Sequence, residues 1–386
     1  MKAPPQRSKR FADTVESDDD RNSDMSHAFD VVDAAEVLER APYRSHRPSM
    51  STRPTFLSAG DTSRRVLTLS ALLSFSFFAI CGGPSGSEDL VRAGGPLVGL
   101  ISMLVFPIVF LLPMGCMVTE LATALPVQGG HAYWVSLAFG PSWGFQAGFW
   151  SWVANCIDCS MYASMTIATI FGPTASVKGT FWEFFVKATF AIVLALPGLW
   201  SLRVVGNVIL FTCIFVLVPY FFVSIWAASE ASHWSELLEV KRVKTTPTPD
   251  GDFVTSGAMD VNWSLLLNTL VWSYNGYLNL GVLAAHVVEP VYTYQRVLWY
   301  ACCLIPLAYL LPYVTMMALD NPDWRRWEEG SLSDVAKTLG GAGLAGWIMA
   351  VNLTSSAGLY ICALTACTYL ANGMAKQGIA PTTVGL

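Results

Sequence analysis

A series of long apolar segments constrains the fold of this sequence more than any other feature. A helix needs roughly 20 mostly apolar residues to cross a bilayer. Strands of a membrane barrel would be about ten residues long with alternating polarity, whereas these segments are longer and continuously apolar. The pattern predicts an all-α integral membrane protein with about eight spans. The predicted spans cover about 66–95, 96–125, 142–172, 182–202, 204–230, 263–284, 295–320 and 342–375.

The composition agrees with this class. Of the 386 residues, 53% are hydrophobic and only 13% are charged, against about a quarter charged in soluble proteins. Residues 1–63 hold much of the charge and are predicted to be a disordered cytoplasmic arm, preceding a transmembrane domain at 64–386. Arg64 and Arg65 directly before the first span favour a cytoplasmic N-terminus. We expect a lipid bilayer as partner, no nucleic acid, no metal and no cofactor.

The stretch CGGPSGSED, residues 81–89, interrupts the first apolar segment. Unbonded backbone groups cost several kcal/mol each in hydrocarbon, so a break survives only where protein or a water-filled cavity covers it. We therefore expect the chain to unwind here and to line a site. A plain loop between two ordinary spans is the alternative. The residues that lower helix propensity are Gly82, Gly83, Pro84 and Gly86.

A second helix is expected to begin just after this break. It should restart near Ser85, with Glu88 and Asp89 in its first turn, where carboxylates suit the positive end of the helix dipole. The sixth segment has a matching interruption in VWSYNGYLNLG, residues 271–281. Two interrupted helices in corresponding places are typical of transporters built from inverted repeats.

Three stretches resemble permeases of the amino acid, polyamine and organocation superfamily, nearest the polyamine and cationic amine uptake branch. They are GGPSGSED at 82–89, TELATALPVQGG at 119–130 and AFGPSWGFQAGFWSW at 138–152. The resemblance runs from about Val66 to the end of the chain. It implies an inverted-repeat transporter fold with discontinuous helices 1 and 6. About eight of the expected twelve spans are present, so the chain resembles a truncated member.

The resemblance also implies that spans one, three, six and eight surround the substrate. In span three, Asn155, Asp158 and Tyr162 share one helix face. An acid this deep in a span is costly unless it is paired or faces a cavity, so Asp158 is an amine-binding candidate. The alternatives are a structural bond to another helix and a protonated state with a shifted pKa. The first break would contribute Gly82, Gly83, Ser85 and Gly86.

Span six supplies further candidates. Trp272, Asn275 and Asn279 fall on one helix face, and Trp272 or Tyr277 could stack on an ammonium group by cation–π attraction. Aromatic residues are common in any span, so ordinary packing is the alternative. Polyamine-type relatives usually carry acids at certain positions of spans six and eight. By this resemblance, those positions are occupied here by Leu278, His286 and Ile361.

That departure bears on the substrate. Only Asp158, Glu88 and Asp89 remain to meet ammonium groups, and each buried charge needs its own partner. An amino acid would need fewer acids and could use the exposed amides of the glycine break. Both polyamines and amino acids therefore stay open.

Coupling or gating candidates are Glu120, His286, Ser355 and Ser356. His286 could titrate near neutral pH or be a solvated interfacial residue. The two serines could contribute to a sodium site or could simply pack between helices. Polyamine-type relatives are usually proton-coupled, so H⁺ is the expected coupling ion and Na⁺ stays open.

The sequence thus predicts a secondary active transporter for polyamines or amino acids, working by alternating access in the plasma membrane, and not an enzyme. The alternative is a truncated or degenerate membrane protein that binds or regulates without moving a substrate.

Overall fold

The computed structural model describes residues 65–171, 181–247, 253–319, 324–327 and 330–381. The predicted N-terminal arm lies outside the described residues. The elements are α1 (Leu69–Ile80), α2 (Asp89–Gly94), α3 (Pro96–Phe106), α4 (Leu112–Ala124), α5 (Gly130–Phe139), α6 (Pro141–Phe171), α7 (Phe181–Trp200), α8 (Leu202–Glu230), β1 (Arg242–Pro247), β2 (Phe253–Met259), α9 (Trp263–Tyr274), α10 (Leu278–Gly281), α11 (Pro290–Met317) and α12 (Ser331–Lys376).

Five helical segments within the described residues are long and apolar enough to cross a membrane: Pro96–Ala124, Phe181–Trp200, Leu202–Glu230, Pro290–Met317 and Ser331–Lys376. The predicted count of eight spans stays a prediction. Two of the remaining segments, α1 and α9, are each only 12 residues long because each ends at a break. The third, α6, has 31 residues and carries polar groups such as Asn155 and Asp158.

Two of the long helices are irregular in the middle. A π-helical turn, Pro107–Leu111, joins α3 to α4, where a proline removes one backbone donor. In α12 the backbone leaves helical geometry at Gly340 and Gly341, the latter with φ 72°. The predicted last span, 342–375, begins just after that kink.

Helix α1 lies at the centre of the bundle and packs on α8, α11 and α12. Leu72, Phe75 and Phe78 are almost fully buried. The Phe78 ring packs closely against Gly358 of α12, where a Cβ would lie 2.4 Å from the nearest ring atom. This close approach fixes the end of α1 against α12, next to the first break.

The outer surface is strongly apolar. Helix α7 buries none of its described side chains, and Phe181, Trp182, Leu199 and Trp200 are each more than two-thirds exposed. Large contiguous apolar surfaces are rare on soluble monomers. These side chains have the character of a lipid-facing surface.

The all-α prediction needs one correction. Residues 231–262, which connect the predicted spans 204–230 and 263–284, include an antiparallel hairpin of β1 and β2. Backbone bonds from Lys241 N–H to the Gly94 carbonyl (3.0 Å) and from Asn262 N–H to the Ala93 carbonyl (2.9 Å) attach the hairpin to the end of α2. Its strands are rich in Thr and Val, which have high β propensity.

The short helix α5 packs on α6, α10 and α12 instead of lying free at the surface. Its Gly130 meets the backbone of Gly281, where a Cβ would be 2.7 Å from the Gly281 carbonyl carbon. His131 is buried, and neither ring nitrogen has a hydrogen-bond partner in the described part of the chain. Burial lowers the pKa of His131 to about 4, so this imidazole is neutral at pH 7.

Candidate functional site

The first break is present where the sequence predicts it, and it is buried. Helix α1 ends at Ile80 and α2 begins at Asp89. Gly82 and Gly83 have φ values of 68° and 128°, in the region that strains any side chain larger than hydrogen. Residues 81–84 are buried inside the bundle and do not project into solvent. The plain-loop alternative is therefore wrong.

Hydroxyl groups from other helices satisfy the carbonyls of the break. Ser355 of α12 donates to the Gly82 carbonyl, and Tyr313 of α11 donates to the Pro84 carbonyl at 3.1 Å. These hydrogen bonds satisfy buried carbonyl groups that lack a helical partner and that the bundle shields from water.

The second half-helix begins later than predicted, at Asp89 instead of near Ser85. Only Asp89 of the two acids is in its first turn, and it forms an ion pair with Arg92 at 2.9 Å. Glu88 directly precedes the helix. Its carboxylate turns back into the break and accepts hydrogen bonds from Gly86 N–H at 2.7 Å and Gly330 N–H at 3.2 Å.

The second break separates α9 from α10. Asn275 is extended and Gly276 has φ 118°. A Cβ on Gly276 would lie only 1.9 Å from the Ala79 carbonyl oxygen, so the two breaks meet backbone to backbone. Tyr309 of α11 bridges them: its hydroxyl lies 3.1 Å from the Ser273 carbonyl and 3.5 Å from the Cys81 carbonyl.

A cavity of about 200 Å³ lies beside this junction. It is smaller than the roughly 300–1,000 Å³ typical of pockets for drug-sized ligands, which indicates a small solute. Its walls come from α1, α6, α12 and the second break. The lining residues are Phe78, Ala79, Ile80, Cys81, Ser151, Ala154, Asn155, Asp158, Tyr162, Trp272, Asn275, Gly276, Leu278, Asn279, Leu359, Cys362 and Ala363.

Among the described residues that line this cavity, Asp158 supplies the only carboxylate. It forms no hydrogen bond or ion pair with any residue that the structure describes, although its side chain is partly buried. Its neighbour Asn155 is 3% exposed and is held in place, since Asn279 donates to its Oδ1 at 3.2 Å. The cavity therefore offers one uncompensated negative charge beside fixed amide groups.

The predicted aromatic candidates lie in two different places. Tyr162 and Trp272 both line the cavity. The Trp272 ring lies over Gly86, where a Cβ would be 3.6 Å from Cη2. Tyr277 instead is 1% exposed and packs against Gly115 of α4.

The other predicted residues of the first break, Gly82, Gly83, Ser85 and Gly86, are not in the cavity lining. Ser85 belongs instead to a polar cluster with side chains of α8 and α12. Its Oγ lies 2.8 Å from both Tyr220 Oη and Asn352 Oδ1, and Tyr220 donates to the same Asn352 oxygen at 2.6 Å.

The coupling candidates lie away from the cavity. Glu120 is exposed near the end of α4. The His286 ring packs edge-on against Tyr369, with centroids 5.0 Å apart. Ser356 donates to the Asn352 carbonyl within its own helix at 3.1 Å. Ser355, as described above, is bonded to the first break.

Four side chains that hydrogen-bond to the two breaks were not predicted from sequence as site residues: Tyr220, Tyr309, Tyr313 and Asn352. Tyrosines in apolar segments look like ordinary packing residues, so the pattern gave no signal for them. Asn352 did carry one, because an amide inside a span is costly unless it is bonded.

A family model described as amino acid permease matches residues 66–384. The polyamine transporter PUT1 of Oryza sativa subsp. japonica is 30% identical over 321 residues, which is 83% of this chain and 57% of that protein. The polyamine transporter RMV1 of Arabidopsis thaliana is 29% identical over 315 residues, 82% of this chain and 61% of that protein. The chain thus spans about three-fifths of the length of these relatives.

Proposed function

Because this chain belongs to the amino acid permease family, we propose that it carries a small organic amine, either a polyamine or an amino acid, across a membrane by alternating access. The family and the similar proteins are transporters and not enzymes. With its apolar helices, the chain is an integral multi-pass membrane protein.

The observation that carries the proposal is the Asp158 carboxylate in the cavity. A buried charge without a partner is costly, and an ammonium group would supply the missing countercharge. Trp272 and Tyr162 add aromatic surfaces, and cation–π attraction contributes about 0.5–2 kcal/mol when the cation is desolvated. The amides of Asn275 and Asn279 can accept further N–H groups of the same substrate.

The junction of the two breaks gives the cavity a movable wall. One wall consists of α1 and the second break, and the other consists of α6 and α12. Non-helical backbone can change its φ and ψ angles without breaking a continuous helix. We propose that rocking at this junction exposes Asp158 to the two sides of the membrane in turn.

For coupling we propose H⁺, with Asp158 as carrier. The hydroxyl of Ser355 already donates to the Gly82 carbonyl, so two oxygens that a sodium ion could use are bonded to each other. This favours H⁺ over Na⁺. Arg64 and Arg65 before the first helix support a cytoplasmic N-terminus, and we propose the plasma membrane as location.

Uptake of radiolabelled putrescine into vesicles that contain the purified chain tests the function. We expect saturable uptake that rises when the outside is acidified and does not require Na⁺. Empty vesicles are the control. Absence of saturable uptake for putrescine, spermidine and every amino acid would favour a binding or regulatory protein that does not transport.

A further inference from the structure

We propose that Glu88 determines specificity by taking up a backbone amide of the first break that a substrate carboxylate would otherwise bind, so that the site takes amines without a carboxylate group and excludes amino acids. This inference rests on the proposed transport function and narrows its substrate class.

The position of Glu88 carries the inference. Its side chain is buried, with only 1% of the residue exposed. One carboxylate oxygen accepts from Gly86 N–H at 2.7 Å and the other accepts from Gly330 N–H at 3.2 Å. A short charge-assisted bond to a backbone amide is the interaction that an amino acid's own carboxylate would seek at a broken helix.

The neighbouring amides of the break are also occupied. Gly82 N–H donates to the Phe77 carbonyl at 2.9 Å. Gly83 N–H donates to Cys81 Sγ at 3.3 Å. Together with Gly86, these glycines were expected to offer exposed donors, and each has an acceptor within the chain.

The described lining of the cavity offers an anion no positively charged side chain. The described residues that line it supply the Asp158 carboxylate and the amides of Asn155, Asn275 and Asn279, and none of them is Lys, Arg or His. The Trp272 ring, which lines the cavity, is also in van der Waals contact with the Cβ position of Gly86. A substrate carboxylate in the cavity would therefore meet the Asp158 carboxylate with no cationic side chain from the described lining beside it, and like charges brought together cost several kcal/mol.

The test uses matched pairs that differ by one carboxylate: putrescine against ornithine, cadaverine against lysine, and agmatine against arginine. Each compound competes with radiolabelled putrescine for uptake. We expect the carboxylate-free member to inhibit at a concentration at least about tenfold lower, the ratio that 1.4 kcal/mol produces. Equal inhibition within all three pairs overturns the proposal. If no compound is taken up or competes, the transport function itself fails.

Lysine methyl ester separates charge from size on the unaltered protein. Esterification keeps the side-chain bulk and removes the negative charge. The ester should compete better than lysine, and an ester no better than the free acid overturns the charge argument.

Glu88→Gln tests the role of this residue, with Asp89→Asn as matched control because Asp89 pairs with Arg92 on the surface. Glu88→Gln should lower the ratio of the inhibitory concentration of lysine to that of cadaverine. Asp89→Asn should leave this ratio unchanged. An unchanged ratio in a Glu88→Gln protein that reaches the membrane contradicts the role. If that variant does not reach the membrane, Glu88→Asp replaces it: the shorter side chain withdraws from Gly86 N–H and should lower the ratio, and an unchanged ratio again contradicts the role.

Discussion

At the residue scale, the candidate site depends on a few polar groups in an apolar interior. These groups are Asp158, the Asn155–Asn279 pair and Tyr309, and they differ in whether the chain itself supplies a hydrogen-bond partner. The amides and the tyrosine already have partners inside the chain, so they stabilise the fold. Asp158 forms no bond with any described residue, so its energy depends on what enters the cavity.

Tyr309→Phe should destabilise the protein by about 1–3 kcal/mol. The substitution removes the hydroxyl that bonds to the Ser273 carbonyl at 3.1 Å and leaves a buried acceptor unpaired. Thermal denaturation in detergent measures the effect. Tyr292→Phe is the control, because Tyr292 is 63% exposed and should melt like the unaltered protein. Equal melting temperatures for all three would show that the Tyr309 bond does not stabilise the junction.

At the element scale, two interrupted helices placed together explain the architecture of the site. Their glycines were visible in the sequence, because Gly and Pro inside an apolar segment conflict with a continuous helix. Their contact was not visible. The approach of Gly276 to Ala79 joins positions almost 200 residues apart, and no local pattern carries that information. The inverted repeat itself stays a prediction.

Gly276→Ala should prevent correct assembly of the junction. The new methyl group would overlap the Ala79 carbonyl oxygen, and φ 118° is strained for alanine. We expect little monodisperse protein after detergent extraction. Gly343→Ala is the control, since nothing lies within 4 Å of its Cβ position. A well-folded Gly276→Ala protein with normal melting would contradict the close contact of the two breaks.

At the scale of the whole molecule, the class of protein could be predicted because a bilayer demands long apolar helices, and 53% hydrophobic residues leave few other folds. The hairpin of β1 and β2 was missed because its Thr-rich strands lie in a polar connection. The predicted start of α2 was about four residues too early, because the hydrogen bond from Gly86 N–H to the Glu88 carboxylate keeps these residues out of the helix.

The helix-face argument for Asp158 identified one wall of the cavity from the sequence. Three other lining residues, Ser151, Leu359 and Cys362, are of types common in any span, so nothing in the sequence singled them out. Tyr277, named only as an aromatic candidate in the same segment as Trp272, faces α4 instead of the cavity, since the break at Gly276 changes the direction of the chain.

Equilibrium binding of putrescine to the purified protein, with and without Asp158→Asn, tests the central claim most directly. The substitution keeps the size of the side chain and removes the charge that we assign to the ammonium group, so Kd should rise at least about tenfold. Asp89→Asn should bind as the unaltered protein does. A folded Asp158→Asn protein with an unchanged Kd would contradict the claim that this cavity is the amine site.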